Sequence, residues 1–222
     1  MAVFLFSFSE MVNAQSYARE KYSKIMWNYL EVLSGFGPRY VGTKGYSQTL
    51  RLIRSVGAEF ADEVIEHSFF VKQHGGGQRQ MINVEFIFHG NAGGQPVLLG
   101  AHYDTRPFAD QESDPILQTH PIIGSNDGGS GTSVLLGLAQ YLKEYPVSQP
   151  ARLMFFDGED FGRSGTGEMF LGSKHHADYL RKTSQKNWPL AVIIVDMVGD
   201  KDLEIFKETH SMASGPKVLD RI

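Results

Sequence analysis

Apolar residues recur at helical spacing in some stretches of this chain and in short, nearly continuous runs in others. From Ser16 to about Leu33, Tyr22, Met26, Leu30 and Leu33 form a stripe, with Arg19, Glu20, Lys21 and Lys24 on other faces. This predicts an amphipathic helix stopped by Gly35 and Gly37-Pro38. Arg39 to Gly45 reads as a loop, and Ser47 to Phe60 as a second helix through Leu50, Leu52, Ile53, Val56 and Phe60. Strands at Glu66–Lys72 and Met81–Phe88 flank Gly75-Gly76-Gly77 and predict a hairpin with a loose tip.

After a turn at Asn91–Gly94, Val97–Ala101 is apolar on both faces, the pattern of a central strand in a covered sheet. Gly129–Tyr145 predicts a helix with Val134, Leu135, Leu138, Ala139 and Leu142 buried and Pro146 at its end. Arg152–Phe156 and Leu190–Val195 are further apolar strands, separated by a helix at Ser173–Arg181. Strands alternating with helices indicate an α/β protein with a mostly parallel sheet and helices on both faces. Residues 16–222 are expected to form one domain, since no linker or internal repeat interrupts them.

Both ends are ambiguous. Val3–Phe8 is apolar and Val12-Asn13-Ala14 resembles a cleavage site, yet no Lys or Arg precedes the run and Glu10 interrupts its exit. Residues 1–15 are therefore either an export-signal remnant, implying a secreted or periplasmic protein, or a disordered or first-turn segment, leaving a cytoplasmic location open. Ser214-Gly215-Pro216 reads as a helix start, and Val218, Leu219 and Ile222 begin an apolar stripe on which the chain stops. That predicts a domain lacking its C-terminal part.

Composition narrows the chemistry. The 222 residues carry a formal charge of -4, which argues against nucleic acid as a partner, and no apolar run is long enough to span a bilayer. With no cysteine, a metal must be held by His and carboxylates. Ligands of open α/β sheets bind beyond the carboxyl ends of the strands. There His102 and Asp104 follow one apolar strand, Asp157, Glu159 and Asp160 a second, and Asp196 a third. Asp127 lies in the glycine-rich turn Ser125–Gly129, before a helix. Any one of these Asp residues could be a helix N-cap or loop former, but so many carboxylates at one rim would repel one another without a cation. The period-two spacing lets His102 ligate while Asp104 accepts a hydrogen bond from the other ring nitrogen. In Glu159-Asp160, one carboxylate can face the metal and its neighbour serve as general base.

The segments HYDTRPFAD, GSNDGGSGTSVLLGLA, FFDGEDFG with LGSKHHA, and VDMVGDKDL resemble the zinc aminopeptidases of metallopeptidase family twenty-eight and the related glutaminyl-peptide cyclotransferases. The resemblance runs from about Gly37-Pro38-Arg39 to the end of the chain. It implies a three-layer α/β/α sandwich of the phosphorylase/hydrolase-like kind, one or two zinc ions, and a peptide or protein N-terminus as substrate. From the dinuclear aminopeptidases it implies His102 and Asp196 on one zinc, Asp127 bridging, Asp160 on the other, and Glu159 as the base in hydrolysis by a metal-activated water. From the cyclotransferases it implies a single zinc held by Asp127 and Asp160, with His102 and Asp196 nearby; Glu159 then shuttles a proton while N-terminal Gln becomes pyroglutamate and ammonia leaves.

Two positions depart from the family pattern. Asp160 stands where many members have Glu, and the final His ligand belongs to a segment beyond these motifs. His210 is a candidate substitute, although its neighbours suggest an exposed loop. His175 and His176 are expected on a helix surface, and His67, His74, His89 and His120 at the surface or in packing. Thr105 and Arg106 are expected to wall the cleft. An inactive truncated remnant is the alternative to an enzyme; a nucleotide-binding protein is disfavoured, because no phosphate-binding glycine fingerprint follows the first apolar strand.

Overall fold

A computed structural model describes residues 8–72, 76–163, 165–206 and 209–215, with side chains described from residue 16 onward. Helix α1 spans Phe8–Gly35 and begins well before the apolar stripe, which is placed as expected, with Tyr22 and Leu33 buried and Met26 and Leu30 partly so. Only residues 8–15 of the suggested export-signal remnant are described, and they are helical; residues 1–7 lie outside the described set. Helix α2 (Lys44–Phe60) starts earlier than its apolar pattern because the Thr43 hydroxyl accepts a hydrogen bond from the Tyr46 amide at 3.1 Å, an N-cap.

The strands are β1 (Glu63–Lys72), β2 (Gln78–Phe88), β3 (Val97–His102), β4 (Ala151–Phe156) and β5 (Ala191–Ile194), in sheet order β1-β2-β4-β3-β5. The parallel expectation holds for β4-β3-β5, whereas β1 pairs antiparallel with β2, and β2 antiparallel with β4. The hairpin was legible, but its antiparallel attachment to β4 was not. Strand β3 lies between β4 and β5, the central place its two-sided apolarity called for.

The connection from β3 to β4 runs one way across the sheet, and the connection from β4 to β5 runs back over β3. Right-handed crossovers of opposite direction put their helices on opposite faces. Helix α3 (Gly129–Glu144) accordingly packs Leu135, Leu136 and Ala139 with Val84, Phe86, Leu153 and Phe155 on the face it shares with α1 and α2. Helix α4 (Leu171–Arg181) covers the other face, where Leu98, Met154 and Phe156 are buried and His176 meets Phe156 edge-on. His176 is thus a packed residue, 4% exposed, and not the surface residue expected from its place in the helix.

Beyond β5, the described chain forms a loop and a short helix α5 (Thr209–Ser214). Ser214 ends α5, and the helix expected to start at Ser214-Gly215-Pro216, with its apolar stripe, falls on Pro216 to Ile222, outside the described residues. No described helix is long and apolar enough to cross a membrane.

Candidate metal centre

The reversal of strand order opens a crevice at the carboxyl ends of β3, β4 and β5. His102, last residue of β3, is 1% exposed and places its ring beneath this crevice. From Nε2, Asp127 Oδ1 is 3.0 Å away and Asp196 Oδ1 3.4 Å. Two donor groups result, His102 with Asp127 and Asp160, and His102 with Glu159 and Asp196, each with its donor atoms within 4.8 Å of one another. The second differs from the expected division of labour, since it places Glu159 among possible ligands as well as at the position of a base.

The residues fit a cation. His102 Nε2 is buried and has no directed hydrogen bond, although two carboxylate oxygens lie beside it. Oxygens close to a nitrogen yet off its hydrogen-bond axis suit donors gathered around a shared centre, and imidazole with carboxylates is a donor set that zinc accepts.

Asp104 does more than the orienting role read from the sequence. Its Oδ1 lies 3.4 Å from His102 Nδ1, a weak contact, while its two oxygens accept the backbone amides of Glu159 and Asp160, each at 3.0 Å. The carbonyls of Asp157, Gly158 and Glu159 in turn accept amides of Gly172, Leu171 and Phe170, where α4 begins. The turn presenting Glu159 and Asp160 is therefore held from both sides. Gly128 adopts φ +74°, and a side chain there would meet the Asp104 carbonyl at 2.5 Å and the His102 ring at 3.0 Å. This close approach brings the Asp127 turn over the imidazole.

Several positioning residues escaped the sequence reading because their partners are distant backbone atoms. Arg39, fully buried, donates to the carbonyls of Tyr103 (3.0 Å), Ile123 (2.7 Å) and Gly124 (2.7 Å), and its amide donates to Thr105 Oγ1 (2.8 Å). It pins both ends of the excursion between His102 and Asp127. Thr105 is consequently buried structure rather than cleft wall. Arg106 does reach the site, with Nη1 3.7 Å from Asp160 and Nη2 2.5 Å from Asp110. Asn126 Oδ1 accepts the Gly199 amide at 2.7 Å, and Ser130 Oγ accepts that of Val198 at 3.0 Å, tying the loop after Asp196 to the start of α3. Asp157 points away from the cluster, receiving the Tyr46 hydroxyl at 2.6 Å and the Ile82 amide at 2.8 Å.

The electrostatics are those of crowded carboxylates. Burial, opposed by His102 and reinforced by Asp196, Asp104 and Asp160, pushes Glu159 up to about 7. Burial and the charges of Asp127 and Asp104 push Asp160 up to about 7 as well. The His102 imidazole, 3.0 Å away, holds Asp127 below its ordinary value. Burial works against a charged His102, but the carboxylates of Asp104, Asp127 and Asp196 gathered around its ring outweigh it and raise its pKa well above the usual imidazole value. A proton on His102 takes up part of the charge that a cation would otherwise balance.

The other histidines lie apart. His210 opens α5, is exposed and belongs to neither donor group. His67 contacts Glu85 at 2.9 Å on the α4 side of the sheet, His175 stacks on Phe69, His89 contacts Glu63, and His120 is exposed. His74 lies outside the described residues.

An α/β sheet with a His–carboxylate cluster at the reversal of its strand order is an arrangement able to hold a divalent cation. Residues 83–220 match the model of Peptidase family M28, and the chain belongs to that family. A Zn-dependent exopeptidase from Parabacteroides distasonis ATCC 8503 superposes with a TM-score of 0.80 at 26% identity, over 89% of this chain and 68% of that one. A glutaminyl cyclase from Porphyromonas gingivalis gives a TM-score of 0.80 at 30% identity, with the same coverage. Aminopeptidase YwaD of Bacillus subtilis (strain 168) is 35% identical over 120 residues, 51% of this chain but 21% of the relative. The chain thus matches about a fifth of that curated relative's length.

Proposed function

We propose that this chain carries the catalytic centre of a zinc-dependent enzyme acting at peptide N-termini, with aminopeptidase hydrolysis as the first reading. The observation that carries it is the Glu159-Asp160 turn, fixed by the Asp104 carboxylate below and the start of α4 above, beside two donor groups that share His102. Asp127 and Asp160 with His102, or His102 with Glu159 and Asp196, would hold the ion. Bound there, a divalent cation would polarise the substrate carbonyl and offset the negative charge of the cluster.

The remaining work falls to the protein. A peptide α-ammonium is attracted to the uncompensated carboxylates, which orients the N-terminal residue inward. Glu159, in one donor group and next to Asp160 of the other, is placed to take a proton from the attacking water and return it to the leaving amine. Arg106, 3.7 Å from Asp160, walls one side of the site.

Glutaminyl cyclisation is the second reading, favoured by the 30% identity and matching fold of the Porphyromonas gingivalis glutaminyl cyclase. In it Glu159 relays the proton from the substrate α-amine to the departing amide. Incubating the zinc-supplied chain with N-terminal Gln and N-terminal Leu peptides, followed by mass spectrometry and an ammonia assay, separates the two. Free amino acid supports hydrolysis and ammonia with a pyroglutamyl peptide supports cyclisation; neither product, from a folded and zinc-loaded chain, refutes both.

A further inference from the structure

Beside the metal centre, a cleft of about 500 Å³ is lined by residues that immediately follow Arg106 and Asp160. Its apolar lining includes Val41, Phe108 and Phe161, and two guanidinium side chains, Arg79 and Arg163, share it with Glu168. The Arg163 guanidinium lies 4.2 Å from the centre of the Phe108 ring, a cation–π contact that holds it in place. Arg54, Arg106, Arg152 and Arg181 each pair with a carboxylate, at Glu66, Asp110, Glu85 and Asp178. Among the described residues, neither Arg79 nor Arg163 has such a partner.

A cluster containing Asp104, Asp127, Glu159, Asp160 and Asp196 repels any acidic group brought near it. Two arginines without carboxylate partners, Arg163 just after Asp160 in the chain and Arg79 on β2, reverse that preference locally. The apolar lining suits methylene groups, and the guanidiniums suit a carboxylate at their end. We infer that this cleft is a specificity subsite for an acidic side chain, glutamate best, on the residue that follows the substrate's N-terminal one. Arg163 makes the principal contact and Arg79 widens the cationic rim. The inference rests on the reading of the centre as one that binds peptide N-termini.

Calorimetric or ligand-observed NMR titration with Gly-Glu, Gly-Gln and Gly-Lys tests it without turnover, on the chain both zinc-free and zinc-supplied. Gly-Glu is expected to bind about tenfold more tightly than Gly-Gln, as one charge-assisted contact gives, with Gly-Lys weakest. Arg163→Met is expected to abolish the preference, Arg79→Met to reduce it, and Arg163→Lys to retain part of it. Both arginines are exposed, so unchanged thermal unfolding of the variants checks that the fold is kept. Equal binding of the three peptides, no binding of any, or a Glu preference that survives both Met variants overturns the inference. A chain that prefers Gly-Glu but converts no peptide keeps the subsite and loses the enzymatic reading. One that converts neutral peptides without discriminating charge does the reverse.

Discussion

Replacing Asp104 by Asn keeps its size and removes its charge, which isolates what the carboxylate does. In the native chain its two oxygens accept the amides of Glu159 and Asp160 at 3.0 Å each, and one faces His102 Nδ1 at 3.4 Å. An Asn side chain has a single acceptor oxygen, so one of the two amides must confront an NH2 donor. A buried amide left without an acceptor costs about 1–3 kcal/mol, and the surviving bond loses its charge assistance. The zinc-free variant is therefore expected to be destabilised by about 3 kcal/mol in urea unfolding. Loss of the group that sets the turn and faces the imidazole is expected to weaken zinc binding by about 10- to 100-fold in chelator-buffered titrations. A third effect has the opposite sense for the carboxylates themselves. Asp104 is among the charges that raise Glu159 and Asp160, so its neutralisation lets both ionise at lower pH. A variant with an unchanged urea midpoint and zinc affinity within about twofold of wild type would refute the role given to Asp104.

Arg39→Met takes the donor from the carbonyls of Tyr103 and Ile123, while that of Gly124 keeps the Gly129 amide, and is expected to cost about 3 kcal/mol in urea unfolding, without much change in far-UV circular dichroism. Gly131→Ala places a methyl 2.1 Å from the Val195 carbonyl and 3.0 Å from Ala101 Cβ. It should destabilise the fold by about 1–3 kcal/mol and weaken zinc binding by displacing the adjoining Asp196; unchanged zinc affinity would show that Asp196 is dispensable. His176, whose ring nitrogens have no partner, is pushed down to about 4, chiefly by burial, with His67 and Arg152 adding to the effect and Glu85 opposing it. Between its ordinary value near 6.5 and about 4 the unfolded chain binds a proton that the folded chain does not, so stability falls as pH falls through that window. The loss is expected to reach at most about 3 kcal/mol by urea unfolding, and His176→Leu should flatten it.

Most of the central fold was legible because its signals are local. The two-sided apolarity of Val97–Ala101 marked a central strand, and the stripe through Leu135, Ala139 and Leu142 marked the crossover helix. The rim position of His102, Glu159, Asp160 and Asp196 followed from strand ends, and Asp127 was read from its glycine-rich turn; the donor groups bring these five residues together. The supports of the site were hidden because they act over long separations in sequence. Arg39 reaches carbonyls 64 to 85 residues away, and Asn126 and Ser130 hold amides beyond Asp196. Nothing in the local pattern distinguishes such an arginine from a solvated one. The attachment of β2 to β4 was likewise unreadable, since a hairpin fixes the pairing of its own strands but not which neighbour it joins. His176 was misread because its burial depends on the sheet beneath α4, where Phe156 and His67 already lie.

His102, Asp127 and Asp160 with Glu159 and Asp196 are proposed to form one metal centre. This is tested most directly by titrating the chelator-treated chain with zinc by isothermal calorimetry, alongside Asp127→Ala. One or two zinc ions per chain, with binding lost or sharply weakened in the variant, is the expected result. A folded chain that takes up no stoichiometric zinc, or whose zinc binding is indifferent to Asp127, would contradict it.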